Sequence, residues 1–268
     1  MNETAAQILI DLFNNIDVFL IVFIRVLGFF TVLPVMAGQN IPLAARLTLT
    51  MGIALLALTS NVVLLPEYNF TLFGFVFLAV QEFAVGIILS FVVMMFFSMF
   101  HFVGQMMDYQ MGFSMVTVFD PFAQLQTPIT GNLYYLIVSV FFVFTGAMRH
   151  TIWVFFESFS SISIGNAFIL GNAALPIVLI EIIIQYFVIG LRIAMPVVGT
   201  LILVDVVLGI LVKAVPQMNV FVVGIPIKVF VGLIIVFLTM SVLSDFFIVV
   251  IDEILMYMLE MIRLMMPE

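Results

Sequence analysis

Across residues 70–107 the chain carries no proline, and its main polar interruptions are Gln81, Glu82 and His101. As one helix at 1.5 Å per residue this run is roughly 55 Å long, against a hydrocarbon core of ~30 Å. It is either two spans with a hidden turn or one helix that continues outside the bilayer. Two later runs, about 173–215 and about 225–266, are also too long for a single simple span. Soluble domains are about half apolar and a quarter charged. This 268-residue chain is 65% hydrophobic and 8% charged, with a mean hydropathy of +1.39. The expected class is all-α: a polytopic membrane protein of long, kinked helices.

Shorter runs surround the long ones. Residues 1–15 read as an amphipathic prelude, with Ile8, Leu9, Leu12 and Phe13 on one face. The run 16–35 has Arg25 near its middle and Gly28 about a turn later, and Pro34 bends or ends it. Pro42 opens the next run, with Arg46 in its first turns, and the turn Pro66-Glu67-Tyr68-Asn69 closes it. A run at 133–147 ends at Arg149-His150, and a shorter one at 153–164 surrounds Glu157. Hydropathy thus gives about six spans in a single membrane domain, 1–268. The acidic start, Met1-Asn2-Glu3-Thr4, is unlike a signal peptide, so the first span is expected to stay in place. Only seven basic residues are present, several inside apolar runs, and they leave orientation open.

Composition excludes several functions. A net charge of −8 argues against nucleic acid as a partner, since phosphate binding needs a basic face. With no cysteine there is no disulfide or thiolate chemistry. The two histidines form no His-Glu-x-x-His, and no nucleophile–base set can be assembled. No enzyme activity, metal or cofactor is expected. The 31 phenylalanines and 19 methionines suit either protein–protein surfaces or ordinary packing.

Charges fall where lipid would be expected. Arg25, Glu82, Glu181, Arg192 and Asp205 lie inside apolar runs, where such groups face a bundle interior, a partner or water. Glu82, Gly86 and Ser90 form one stripe at i, i+4, i+8, and the small residues permit close helix approach. Asp205, Gly209 and Lys213 repeat the pattern, and Glu181, Gln185 and Arg192 share another face. These charges either pair across helices and subunits or mark an ion pathway. Pairing is the commoner fate of buried charge. An ion-coupled membrane transporter using Glu82, Glu181 and Asp205 remains the alternative.

The stretch 104–121 suits neither lipid nor a dry core. It holds two glutamines, two aspartates, two glycines, a proline and four methionines. Glycine frees the backbone, and Asp120-Pro121 tends to stop a helix. Methionine closes a gap and reshapes it. The segment reads as a movable loop that plugs a wet passage, or as an ordinary loop between two spans.

The second break reads Pro216-Gln217-Met218-Asn219-Val220-Phe221-Val222-Val223-Gly224-Ile225-Pro226-Ile227-Lys228. By spacing alone, Pro216, Asn219, Gly224, Pro226 and Lys228 describe an exposed, rigid, hairpin-like link with a cationic end. As a string it resembles the signature of the FliR family of flagellar export-gate proteins and their injectisome type III secretion relatives. Arg25-x-x-Gly28 with Pro34, Pro42 followed by Arg46, and Glu82 with Gly86 agree with that resemblance. So do Gly104-Gln105, Gly112, Asp120-Pro121, and Asp205, Gly209 and Lys213 leading into the signature.

The resemblance implies a subunit of a helical hetero-oligomeric export gate in the bacterial cytoplasmic membrane, within the flagellar basal body. It implies FliP-like and FliQ-like partners, an associated FlhB-like subunit, and unfolded flagellar proteins as cargo. It implies a FliQ-like part joined to a FliP-like part. Its long helices need not behave as plain spans, and Arg25, Arg46, Glu82, Glu181, Arg192, Asp205 and Lys213 would face neighbouring helices or subunits. The 104–121 segment would project into the central passage, with Met106, Met107, Gln110, Met111, Gly112, Phe113 and Met115 closing it.

Overall fold

A computed structural model describes residues 16–37, 41–60, 63, 72–113, 128–167, 169, 172–217 and 219–266. The 1–15 prelude, the 66–69 turn, Met115 and the rest of 114–127 lie outside the described residues. Every regular element among the described residues is a helix. In chain order these are α1 (Ile16–Val32), α2 (Pro34–Ala37), α3 (Leu43–Thr59), α4 (Leu72–Met111), α5 (Ile129–Phe144), α6 (Ala147–Ser161), α7 (Ala174–Ala214) and α8 (Val220–Met265). The protein is an all-α polytopic membrane protein.

From residue 72 onward the 70–107 run lies in one helix, the 40-residue α4, with no hidden turn. The absence of proline leaves its backbone ladder unbroken, and the amide and carboxylate inside it find partners in the fold. α7, of 41 residues, and α8, of 46, are likewise continuous and enclose Pro196 and Pro226. Each proline removes one backbone hydrogen bond without ending its helix. The link expected over 216–228 is therefore shorter than the sequence suggests. Only residues 215–219 separate α7 from α8, and Gly224, Pro226 and Lys228 belong to the first turns of α8.

Among the described residues, three helices are long and apolar enough to cross a membrane: α4, α7 and the 222–241 stretch of α8. A fourth arises if α5 and α6, bent by 67° at their junction, form one broken span. This is fewer than the six of the hydropathy reading. α1, α3, α5 and α6 have 17, 17, 16 and 15 residues, which is about 26 Å or less at 1.5 Å per residue. Gly146 makes the α5–α6 bend with φ +80, a left-handed conformation that glycine adopts without steric penalty. Arg149 and His150 thus fall in the first turns of α6 rather than closing a span.

The chain packs as two compact units. Unit 1 comprises the described parts of Met1–Met95, Gly146–Ile182 and Glu253–Glu268; unit 2 comprises Phe96–Thr145 and Ile183–Asp252. α4, α7 and α8 each contribute residues to both units. In unit 1, Ile21, Val22, Val26, Phe29 and Phe30 of α1 are fully buried, and Phe29 stacks on Phe155 of α6 at 4.2 Å. Unit 2 centres on aromatic side chains. Phe96 meets Phe100 edge-on at 5.1 Å, and Phe97 meets Phe142 at 5.3 Å. Aromatic pairs of this geometry add about 0.5–1.5 kcal/mol beyond their buried area, so part of the phenylalanine content serves the core.

Candidate functional site

Two polar constellations stand out, one in each unit. In unit 1, Arg25 of α1 and Glu82 of α4 form an ion pair with both side chains fully buried. Arg25 Nη1 donates to the Ser158 carbonyl at 3.0 Å and Nη2 to the Ile162 carbonyl at 3.3 Å. The guanidinium lies 4.5 Å from the centre of the Phe159 ring. The second oxygen of Glu82 accepts the Gly165 N–H at 2.9 Å. The pair therefore ties α1 and α4 to the end of α6 and the loop after it. Its charges are neutralised and its hydrogen-bonding capacity is largely used, the condition under which buried ions are tolerated. The helices can come this close because both crossing points are glycines. A Cβ on Gly28 would lie 2.5 Å from the Phe83 carbonyl oxygen, and one on Gly86 would lie 2.2 Å from the Arg25 carbonyl oxygen.

In unit 2 the organising feature is the C-terminal end of α4. Asp108 is buried and accepts the Thr130 backbone N–H at 3.1 and 3.2 Å, together with the Thr130 hydroxyl. α5 begins after Pro128 with no side-chain cap of its own. A carboxylate from α4 thus supplies the anion that a helix N-terminus favours. Nearby, a Cβ on Gly104 would sit 2.0 Å from the Gly131 Cα, so the two backbones touch.

α4 stops at Gly112, which takes φ +90, while the N–H groups of Gly112 and Phe113 return to the Asp108 carbonyl at 3.1 and 3.0 Å. This is a glycine C-cap of the left-handed kind. Two side-chain contacts hold the end in place, one of them backed by an ion pair. Gln110 Nε2 donates to Asp205 Oδ2 at 2.9 Å, and Lys228 Nζ reaches Asp205 Oδ1 at 2.8 Å. Met111 is fully buried, with its sulfur over Gly232, where a Cβ would come within 2.5 Å. Asp205 of α7, itself paired with Lys228 of α8, therefore holds the last turn of α4, just before residues 114–121.

The described part of the 104–121 segment is thus mostly helix, and two of its three described methionines face inward. Met107 and Met111 are fully buried, whereas Met106, Gln110, Gly112 and Phe113 are part-exposed. Of the other charges, Glu181, Arg192 and Lys213 are exposed, and Arg46 has a buried Nε without a hydrogen-bond partner among the described residues. Pro216 and Asn219 lie in the short break, and the Asn219 carbonyl accepts from Val222 and Val223. Gly224 is buried and Pro226 exposed.

The family model of the bacterial export proteins, family 1, matches residues 16–254. The chain belongs to that family. Among its relatives, the flagellar biosynthetic protein FliR of Bacillus subtilis (strain 168) is 33% identical over 236 residues, 88% of this chain and 89% of that protein. FliR of Escherichia coli (strain K12) is 27% identical over 225 residues, covering 83% and 84%. The surface presentation of antigens protein SpaR of Shigella flexneri is 29% identical over 236 residues, covering 85% and 89%.

Two residues of this family 1 export protein that matter to the site escape a reading of the sequence. Asp108 sits inside the stretch singled out, yet nothing local says that its partner lies 22 residues away at the start of α5. Its only signal is a carboxylate one turn after Gly104 in a mostly apolar helix. Gln81 donates to the Ala167 carbonyl, beside the Glu82–Gly165 bond, and its place next to a buried glutamate is the corresponding hint.

Proposed function

We propose that this protein is a non-enzymatic subunit of the flagellar type III protein export gate. With FliP-like and FliQ-like subunits, and an FlhB-like subunit in association, it forms the conduit for unfolded flagellar proteins across the cytoplasmic membrane. The segment that starts at the end of α4 is its plug. Membership of the bacterial export proteins, with relatives named for flagellar biosynthesis, supports the role in export. The observation that carries the plug is the clasp at the α4 terminus. Gln110, Met111 and Gly112 are held there by one hydrogen bond to an ion-paired aspartate, one thioether contact and one glycine cap. A stopper for varied polypeptide must seal at rest and yield on demand, and a short, adaptable hold of this kind suits that task.

The ion-coupled transporter is the weaker reading. Glu82 already bonds Arg25 and a backbone N–H, and Asp205 already bonds Lys228, so neither offers a free carboxylate to a coupling ion. The test is deletion of residues 110–115 in a gate that still assembles. Membranes carrying it are expected to leak small ions at rest. Wild-type impermeability in the assembled variant would end the plug assignment.

A further inference from the structure

Arg192 stands at the middle of α7, 18 residues after its first residue and 22 before its last. Among the described residues its side chain makes no hydrogen bond and no ion pair, and it is exposed. Its surface neighbours at helical spacing are Val188 one turn before and Met195 one turn after, both exposed, with Phe187 beside them. This is not an aqueous face, and a guanidinium directed into hydrocarbon is strongly disfavoured. Arg192 also rims a cavity of about 160 Å³ in unit 2, walled by Tyr134, Ile193, Pro196, Thr239 and Leu243. The Tyr134 and Thr239 hydroxyls bond each other at 3.3 Å, which leaves the wall mostly apolar. A dry cavity of about 150 Å³ accommodates one benzene-sized group.

We infer that Arg192 and this cavity are the docking point for an apolar helix of a neighbouring membrane subunit. That helix carries an aspartate or glutamate about one turn from a large aliphatic or aromatic side chain. The carboxylate pairs with the guanidinium, for which Arg geometry is suited, and the apolar side chain fills the cavity. A buried pair beside a filled pocket is the arrangement that dominates interface energetics. The inference deepens the reading of the chain as one subunit of an assembly, and rests on it.

The experiment is recovery of partner subunits with tagged full-length chain from detergent-extracted membranes of a flagellated host. Wild type must first recover partners; if it recovers none, the assembly reading itself fails. Arg192→Glu is expected to reduce recovery about 30-fold or more at unchanged membrane level, the scale for breaking one half of a buried pair. Arg192→Lys, which keeps the charge but not the fork, is expected to fall between wild type and Arg192→Glu. Ile193→Phe, which intrudes on the cavity, is expected to reduce recovery with the charge intact. Suppressors of Arg192→Glu are expected to replace an acidic residue of a partner by a basic one. Wild-type recovery with Arg192→Glu overturns the inference. So does loss of bound anionic lipid with recovery unchanged, which assigns the site to a headgroup.

Discussion

The Arg25–Glu82 pair is the strongest polar commitment in the chain, and its weight follows from its burial. Neither side chain has any solvent contact, so removing one partner leaves the other ionised with no water to replace it. Glu82→Gln is expected to destabilise unit 1 by about 3–5 kcal/mol. Arg25→Met together with Glu82→Leu is expected to be milder than either single change, because both charges leave at once. Thermal unfolding of the detergent-solubilised chain, with its level in the membrane as a second readout, checks the order. A double variant worse than Glu82→Gln would give the pair a role beyond mutual neutralisation, such as fixing the 162–165 loop through Ile162 and Gly165. The Asp205–Lys228 pair, with Asp205 about 43% exposed, is of a different kind. Pairs of that exposure contribute about 0–1 kcal/mol.

At the scale of elements, glycines decide which helices touch. Four substitutions by alanine rank themselves by what the new methyl group meets. At Gly86 and Gly104 it meets backbone, at 2.2 and 2.0 Å, and backbone yields only by separating the helices. Both are expected to destabilise by about 1–3 kcal/mol as overpacked sites. At Gly232 it meets the Met111 sulfur, the end of a flexible chain, and the loss is expected to be smaller. At Gly209 it meets nothing within 4 Å, so Gly209→Ala is expected to be neutral or to stabilise α7 by up to about 1 kcal/mol through helix propensity. Equal losses at Gly209 and Gly104 would refute the ranking.

The same elements show what the sequence carries. The helical class, the long runs and the Glu82–Gly86–Ser90 stripe are legible because they depend on local period and polarity. Which helix lies on that stripe is not, since Arg25 is 57 residues away and nothing local encodes the pairing. Prolines misled for a related reason. Pro226 marks a break by local rules, yet α8 continues through it, because long-range packing of α8 in unit 2 outweighs one lost backbone bond. The 104–121 segment reads as loop from its glycines, but the fold keeps it helical to Met111, with Asp108 engaged by the distant Thr130.

For the whole molecule, if the chain is the gate subunit proposed above, the contrast between the two ion pairs is a division of labour. A gate needs a frame that does not yield and a stopper that does. If the clasp is worth about 1 kcal/mol, its loss shifts the balance between held and released states of the α4 end about five-fold. That is enough to alter resting permeability and too little to unfold unit 2. Lys228→Met removes the cation and leaves Asp205 bound only to Gln110. It is expected to raise resting ion leak several-fold in an assembled gate, with protein level and export of flagellar substrate largely retained. Asp205→Asn is expected to do the same. Gln110→Ala added to Lys228→Met is expected to raise the leak further, since Gln110 makes the direct bond from α4 to Asp205. Leak measured by potassium release from vesicles containing the assembled gate separates the outcomes. Leak unchanged in Lys228→Met, but strong on deletion of residues 110–115, would place the hold in Met111 on Gly232 instead of in the charges. The mutation to follow would then be Met111→Ala, which empties that notch while leaving Gln110, Asp205 and Lys228 in contact.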